Sequence, residues 1–161
     1  MKPTTDLYDD HEGEVSTCST QFRDFGGRQK FFGPIRTVRC ERDNQLFRAL
    51  LDEPGNGAVA VVDGGGSTET ALMGDIIAAK GAKNGWAGCV IYGAVRDSAE
   101  IGRIDFGAKA LGVNPAKSRK EGLGAVDEDV EFGGVVFRTG DWIYCDEDGV
   151  LVSPTELPAS G

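Results

Sequence analysis

The residues with the clearest chemical potential are an arginine and an aspartate that follow a buried-strand pattern. Residues 89–92 read as a strand, because valine, isoleucine and tyrosine favour a pleated, packed surface, and Gly93 is expected to turn the chain sharply. Ligands of α/β sheets lie at the carboxyl ends of strands. Arg96 and Asp97 placed there could hold an anion and a divalent metal ion together. The simpler alternative is a surface ion pair that caps the strand.

A second candidate site lies at Gly74, Asp75, Ile76 and Ile77. The free backbone N–H groups at the start of a helix point outward and favour an anion, and Gly74 lets a ligand approach closely. Asp75 lies in an otherwise apolar stripe, so its carboxylate needs a partner. The alternative is a plain helix N-cap.

The spacing between the two pairs poses a geometric problem. One helix and one parallel strand fit between Asp75 and Arg96, and in that arrangement the helix start and the strand end lie far apart. They meet only across a subunit boundary or if the chain doubles back. The sequence leaves both solutions open.

A glycine-rich loop follows the apolar run at 58–62. Asp63 precedes three glycines, 64–66, and Ser67. Such a loop between a strand and a helix can bring backbone N–H groups onto a phosphate or a cofactor, as in methyltransferases and dinucleotide-binding proteins. Against a nucleotide or methyl-donor site, Glu69 stands where the third glycine of the fingerprint belongs, and the next strand ends without an acid to hold a ribose. A tight turn is the simpler interpretation.

Charge and composition argue against several kinds of protein. The 26 acidic and 17 basic residues give a net charge of −9 with no Lys/Arg block, so nucleic acid is not an expected partner. The single histidine, His11, argues against a histidine triad or a multi-histidine metal site, and the four cysteines form no CxxC pair. Any chemistry must therefore come from Asp, Glu, Arg, Lys or a hard metal ion.

The location expected from the sequence is the cytoplasm, without membrane association. No apolar run reaches the roughly 18 residues of a membrane span, and the first residues lack the apolar core of a secretory signal.

The elements that must position these residues alternate between strand and helix in the first two thirds of the chain. Residues 35–40 alternate with period two, and the run at 58–62 is typical of a strand covered on both faces. Residues 67–83 are helical in character, and we expect two short helices with Asp75 capping the second. The last third is mostly strand, with a hairpin or a bulged strand at Gly133 and Gly134. These patterns predict one α/β domain over 1–161, a sheet-on-sheet body with helices on one face and a frayed tail.

In combination, these motifs resemble the class II aldolase family that also contains the regulator of ribonuclease E activity A, the RraA-like family. The resemblance runs from near Thr5 to Val152. The segments that carry it are 25–28 (FGGR), 61–67 (VVDGGGS), Gly74-Asp75, 93–97 (GAVRD), 132–135 (FGGV) and 140–144 (GDWIY).

The resemblance implies a swivelling β/β/α domain with a layered α/β/β sandwich, and a homotrimer with active sites between neighbouring subunits. It implies a lyase that cleaves 4-hydroxy-4-methyl-2-oxoglutarate to pyruvate and also acts as an oxaloacetate decarboxylase, with Mg²⁺ (magnesium) or Mn²⁺. The alternative within the family is a non-catalytic regulator that binds ribonuclease E as a protein partner. The longer aldolases carry a C-terminal extension that brings a glutamate to the neighbouring site, and this sequence ends before it.

The resemblance also assigns roles to residues. It makes Asp97 the direct metal ligand and Asp75 an acid that acts through a water of the metal. Arg96 would hold the substrate carboxylate and the oxygen of the developing pyruvate enolate. The amides from Gly74 to Ile77 would bind the oxo acid. This set of roles needs no histidine, which agrees with the composition.

Overall fold

The computed structural model describes residues 1–158, so the end of the tail that we expected to fray, 159–161, lies outside the described residues. The helices are α1 (Thr4–Asp10), α2 (Gln45–Asp52), α3 (Asp75–Lys83) and α4 (Ser98–Ile101). Within residues 1–158, none of them has the length and apolar character that crossing a bilayer requires.

Short strands make up most of the remaining regular structure. They are β1 (Ser16–Cys18), β2 (Arg23–Asp24), β3 (Phe31–Arg39), β4 (Val59–Asp63), β5 (Ala71–Met73), β6 (Gly88–Val95), β7 (Gly107–Val113), β8 (Ala125–Val126), β9 (Val130–Phe132), β10 (Val135–Phe137), β11 (Trp142–Asp146) and β12 (Gly149–Ser153).

The centre of the fold is a parallel sheet made of β3, β4, β6 and β7. Antiparallel strands extend it on both sides, so that the full order is β1-β12-β11-β3-β4-β6-β7-β2. The strands β5 and β8 pair with β6 and β3 respectively, and β9 and β10 form a separate hairpin. Gly133 and Gly134 join that hairpin with φ of 62° and 78°, so of the two predicted alternatives the hairpin is the one that forms.

Both faces of the central sheet are covered, because its strands alternate between two cores. In β4, Ala60 and Val62 pack into the core beneath the helices, with Leu50 and Phe106 among its members. The alternate residues Val59 and Val61 pack into a second core closed by the β9–β10 hairpin and by β11 and β12. Alternate residues of each central strand therefore face two different apolar cores. The expected α/β class with a layered α/β/β arrangement is confirmed.

The prediction of two short helices over residues 67–83 is wrong in its first half. Residues 71–73 form β5, which pairs in parallel with the end of β6, and only residues 75–83 are helical. Three buried apolar residues fit a strand and a helix turn equally well by pattern, so the tertiary pairing decides. The predicted cap is also displaced by one residue, because Gly74 is the N-cap and Asp75 is the first residue of α3.

The expected turn at Gly93 is likewise wrong. The strand β6 continues through Gly93 to Val95, and the chain turns at Asp97, whose φ is 56°. Gly93 serves packing instead, since a Cβ there would lie 3.0 Å from the Leu72 side chain. The strand therefore extends further than its sequence suggests and delivers Arg96 and Asp97 at its end.

A buried ammonium group ties the edge strand β2 to the rest of the sheet. Lys109, whose side chain is 3% exposed, donates to Asp24 at 2.9 Å and to the backbone carbonyl of Asp146 at 2.8 Å. A buried charge that loses its partner is costly, whereas the loss of both charges costs little.

We therefore expect unequal losses of stability from the two halves of this pair. Asp24→Ala leaves the Lys109 ammonium buried with one carbonyl, and should lower the free energy of unfolding by about 3 kcal/mol. Lys109→Met removes the buried charge, and Asp24 is exposed enough to be hydrated, so the loss should stay near 1 kcal/mol. Urea unfolding at one fixed protein concentration measures both, and equal losses would contradict this account.

Candidate functional site

Strand pairing brings the two predicted pairs together inside one chain. The strands β5 and β6 run in parallel, with Met73 opposite Val95, and the Arg96 N–H donates to the Met73 carbonyl at 2.9 Å. The residues that follow each strand, Gly74 and Asp97, therefore lie side by side. The spacing problem is solved because the chain doubles back through β5 before α3 begins.

Asp97 adopts an uncommon backbone conformation at the centre of this arrangement. Its φ and ψ are 56° and 40°, in the left-handed region that aspartate tolerates better than most residues. One carboxylate oxygen, Oδ2, accepts a hydrogen bond from the Asp75 N–H at 3.3 Å. A Cβ at Gly74 would lie only 2.7 Å from that oxygen, so glycine is what permits the approach. Strained backbone of this kind is concentrated at functional sites.

Arg96 is not engaged in a tight ion pair. Its Nε lies 4.0 Å from the Asp97 Oδ2, and its Nη1 donates to the Pro115 carbonyl at a long 3.4 Å. Both side chains are more than two fifths exposed. The geometry therefore gives little support to a simple capping ion pair and leaves the guanidinium able to bind a ligand.

A cleft of about 230 Å³ opens beside these residues. The predicted set, Gly74, Asp75, Ile76, Ile77, Arg96 and Asp97, lines it together with Ala71 and five residues that the site hypotheses missed: Asn44, Arg48, Lys117, Ser118 and Lys120. The missed residues come from α2 and from the loop at 116–124, which we call the basic loop. Its lysines and arginine were visible in the sequence, but nothing there placed them next to α3.

The charge of this cleft differs from that of the whole chain. Four cationic side chains line it against two carboxylates, although the net charge of the chain is −9. The N-terminal amides of α3 add further positive potential. The cleft is therefore suited to a small ligand with more than one negative charge.

Arg96 and Asp97 also line a second cleft, of about 280 Å³, on their other side. Its remaining walls are Ser98, Val113, Asn114 and Pro115. A larger cavity of about 350 Å³ lies between α1 and β12, but no lysine or arginine lines it and the acids at the strand ends lie elsewhere. The chemistry of the lining residues favours Arg96 and Asp97 as the candidate site over this larger cavity.

The donor set of this site fits a hard cation. Within residues 1–158 no group of three or more His, Cys, Asp or Glu side chains is placed to hold a metal ion. Asp97 and Asp75 nevertheless present carboxylates to open space, and Mg²⁺ is commonly held by one or two carboxylates with waters and substrate oxygens. Burial raises the pKa of the Cys40 thiol to about 12, and Cys40 is not among the residues that line the cleft.

The glycine loop at 64–66 is used within the protein itself. The N–H groups of Gly64 and Gly66 both donate to the Tyr92 carbonyl at 3.1 Å, and the Gly65 N–H donates to the Asp63 carboxylate. The loop leads into β5 rather than into a helix. Its amides are therefore not arranged around an external phosphate or cofactor, which favours the tight-turn interpretation.

Comparison with known proteins gives consistent matches along the chain. A family model described as RraA-like, Aldolase/RraA, matches residues 4–152. A protein of Alkalilimnicola ehrlichii, provisionally named 4-hydroxy-4-methyl-2-oxoglutarate aldolase, is 55% identical over 155 residues, which are 96% of each chain.

Two solved structures are similar over nearly their whole length. One, from Geobacillus kaustophilus, is described as an S-adenosylmethionine:2-dimethylmenaquinone methyltransferase; it is 45% identical, with a TM-score of 0.96 and 99% of each chain covered. The other, the RNA-processing inhibitor RraA of a Thermus species, is 42% identical, with a TM-score of 0.94, 100% of this chain and 99% of that chain covered.

Proposed function

The chain belongs to the RraA-like family, and from this premise we propose that it is a divalent-metal-dependent lyase that cleaves 4-hydroxy-4-methyl-2-oxoglutarate to pyruvate and decarboxylates oxaloacetate. The observation that carries the proposal is the convergence of Gly74-Asp75 and Arg96-Asp97 on one cationic cleft. Both substrates are oxo acids with two carboxylates, which suits the surplus of positive charge there.

Asp97 is the residue that would hold the metal ion, and Asp75 would order water beside it. When bound, Mg²⁺ or Mn²⁺ supplies Lewis acidity to the C2 carbonyl of the substrate. The left-handed backbone at Asp97 fixes where that carboxylate points, and the Asp75 N–H holds one of its oxygens. The Asp97 carboxylate, which would bind the metal ion, is thus held in place before any substrate enters.

Arg96 would bind the substrate and stabilise the charge that develops during cleavage. In the aldolase reaction the bond between C3 and C4 breaks and its electron pair moves toward the C2 oxygen to form a pyruvate enolate. The C4 hydroxyl passes its proton to water and becomes the carbonyl of the second product, and the enolate then takes up a proton at C3. A planar guanidinium beside Asp97 can bind a carboxylate and the C2 oxygen through separate N–H groups. The amides of Ile76 and Ile77 at the start of α3 would hold the same carboxylate.

A pyruvate-release assay tests the proposal directly. Protein with Mg²⁺ should release pyruvate from both oxo acids, and the rate should vanish with a chelator and return with Mn²⁺. A protein-free sample with the same metal corrects for the spontaneous decarboxylation of oxaloacetate. Folded protein that releases no pyruvate from either acid with Mg²⁺ or Mn²⁺ would overturn the lyase proposal.

The second candidate is a non-catalytic regulator that binds a ribonuclease. It is favoured by the close match to the Thermus RNA-processing inhibitor, which extends over the whole of both chains. Under this alternative, the protein inhibits a ribonuclease E-type enzyme, variants at Arg96 and Asp97 keep that inhibition, and no metal-dependent pyruvate release occurs.

We also propose that the protein is a homotrimer with sites at the subunit boundaries. Large apolar side chains are exposed near the clefts: Ile76 is 72% exposed and Val113 is 47% exposed. A neighbouring copy would cover them and enclose the substrate. Light scattering should give a mass near three times 17.1 kDa, whereas a monomer at micromolar concentration would count against shared sites.

Methyl transfer is the activity that the Geobacillus relative's description raises. Because the Gly64 and Gly66 amides are occupied by the Tyr92 carbonyl, we expect calorimetry to show no saturable binding of S-adenosylmethionine. Stoichiometric binding at micromolar concentration would show that the loop does more than turn the chain.

A further inference from the structure

We propose that Asp43 is a positioning residue whose buried carboxylate holds the second half of the basic loop, 116–124, so that Lys120 faces the substrate beside Lys117. The inference rests on the proposed function for the identity of the substrate, because the two lysines would bind its second carboxylate. Asp43 itself would touch neither the substrate nor the metal.

The surroundings of Asp43 are unusual for a carboxylate. The residue is fully buried, and the partners that the structure gives its side chain are backbone N–H groups rather than a cation. They are Gln45 at 3.0 Å, at the start of α2, and Glu121 at 2.7 Å and Gly122 at 3.2 Å, in the basic loop. One side chain therefore joins two segments that are far apart in sequence.

These hydrogen bonds keep Asp43 ionised. Burial alone would raise the pKa of the Asp43 carboxyl, but the N–H groups of Gln45, Glu121, Gly122 and Leu123 outweigh it and lower the pKa. A carboxylate surrounded by oriented amides makes strong, charge-assisted bonds, so it can fix a loop that has no regular secondary structure.

The basic loop has a second, separate attachment at its beginning. The Ala116 carbonyl accepts from the Ala71 N–H at 2.7 Å, and the buried Ser118 hydroxyl donates to the Ala71 carbonyl at 2.7 Å. This attachment fixes the loop to β5, directly before Gly74. Lys120 lies between this attachment and the Asp43 contacts, next to Arg119, whose backbone also pairs with residues 42 and 44. The Asp43 contacts hold the half of the loop that is further from β5.

The segment that carries Asp43 also forms the opposite wall of the cleft. Asn44 and Arg48 line it from α2, while Lys117 and Lys120 line it from the basic loop. The Asn44 N–H donates to the Arg119 carbonyl at 3.0 Å, and the Arg119 N–H to the Arg42 carbonyl at 2.8 Å. Asp43 therefore lies where the α2 wall and the basic-loop wall of the cleft meet. Removing its carboxylate would let the two walls move apart and would leave the contacts of Arg96 and Asp97 unchanged.

Limited trypsin digestion tests whether Asp43 holds the loop. Lys117, Arg119 and Lys120 are trypsin sites, and a held loop is cut slowly. Asp43→Asn keeps the size of the side chain but turns an N–H donor toward other N–H donors. We expect cleavage within 116–124 to become the first cut, at least tenfold faster than in the wild type, as mass spectrometry of the fragments will show. An unchanged order and rate of cuts would overturn the inference.

Two controls separate this effect from general loss of stability. Asp24→Ala weakens the fold at the distant β2 edge and should speed cleavage at many sites without favouring the loop. Should Asp43→Asn fail to fold, hydrogen exchange in the wild type decides: the Glu121 and Gly122 amides should be protected together. Exchange at the rate of an unprotected loop would overturn the inference.

Kinetics test whether the loop matters for substrate binding. The second carboxylate of 4-hydroxy-4-methyl-2-oxoglutarate keeps its charge throughout cleavage, so Lys117 and Lys120 would bind this substrate equally before and during the reaction. With this substrate, Asp43→Asn should therefore raise KM about tenfold and change kcat little. Lys120→Met should have a similar effect, and adding Asp43→Asn to it should raise KM much less than tenfold, since both act through one loop. A loosened loop with an unchanged KM would overturn the positioning role.

The outcomes also distinguish this inference from the proposed function. A wild type that releases no pyruvate overturns the lyase proposal, and with it the role of the lysines toward an oxo acid. The trypsin and exchange results then still decide whether Asp43 holds the basic loop.

Discussion

Asp97→Asn should remove divalent-metal binding and lyase activity together. The amide keeps the size of the side chain but lacks the negative charge that a hard cation requires. A Lewis-acid metal contributes several kcal/mol to such a reaction, so kcat/KM at moderate Mg²⁺ should fall roughly 10³-fold. Added Mg²⁺ should restore the activity only in part. The remaining carboxylate, Asp75, lines the same cleft but would act through a metal-bound water, so it cannot replace Asp97 as the direct ligand.

Asparagine is the substitution of choice here because of the backbone. Asp97 has a φ of 56°, and asparagine is one of the few residues that adopt this region readily. The fold should therefore survive, which circular dichroism and the thermal midpoint can verify. Glu100→Gln on the adjacent helix removes an exposed acid that pairs with Arg103 and should leave activity unchanged. If Asp97→Asn kept full activity, Asp97 could not be the direct ligand of the metal ion.

Arg96→Lys should separate metal binding from turnover. The charge remains, but lysine lacks the planar pair of donors that can bind a carboxylate and the C2 oxygen at once. Metal affinity should stay near the wild-type value, since Arg96 donates to a carbonyl and lies 4.0 Å from Asp97. Removing one donor to a developing negative charge typically costs roughly 10²–10³ in kcat, and we expect a loss of that size.

The kinetic pattern identifies the role of Arg96. A residue that only binds the substrate would raise KM with kcat intact, whereas one that stabilises the transition state lowers kcat. Arg103→Lys is the matched control, because Arg103 is an exposed arginine on the neighbouring turn. An unchanged kcat for Arg96→Lys would assign Arg96 to ground-state binding alone. Loss of metal affinity would instead indicate that the two residues act as one unit.

The sequence identified the chemical pairs but not how they meet. Gly74-Asp75 and Arg96-Asp97 were recognisable because glycine before a helix start and charge after an apolar run are local signals. Their adjacency depends on β5, a three-residue strand whose apolar pattern also fits a helix. Residues 71–73 form a strand because they pair with β6, and this pairing depends on how the whole sheet is assembled.

The cationic wall of the cleft was beyond sequence reasoning for a different reason. Asp43 precedes α2 and accepts from the Gln45 N–H, although Asn44 holds the N-cap position. Its other partners are backbone amides of residues 121 and 122. Every residue except proline carries such an amide, so no side-chain pattern marks the loop that Asp43 will bind. The lysines can be read from the sequence, but their position in the cleft depends on this backbone contact.

The pairing of β1 with β12 sets an order on how a nascent chain can fold. Ser16 lies opposite Val152, so β1, the first strand to be synthesised, cannot pair until β12 has been synthesised. At roughly 5–20 residues per second, the delay is on the order of ten seconds. By contrast, β3, β4, β6 and β7 all lie within residues 31–113, a continuous segment that also includes Gly74 to Asp97. The parallel centre can therefore assemble during translation, whereas the outer antiparallel layer can close only after translation has reached Ser153.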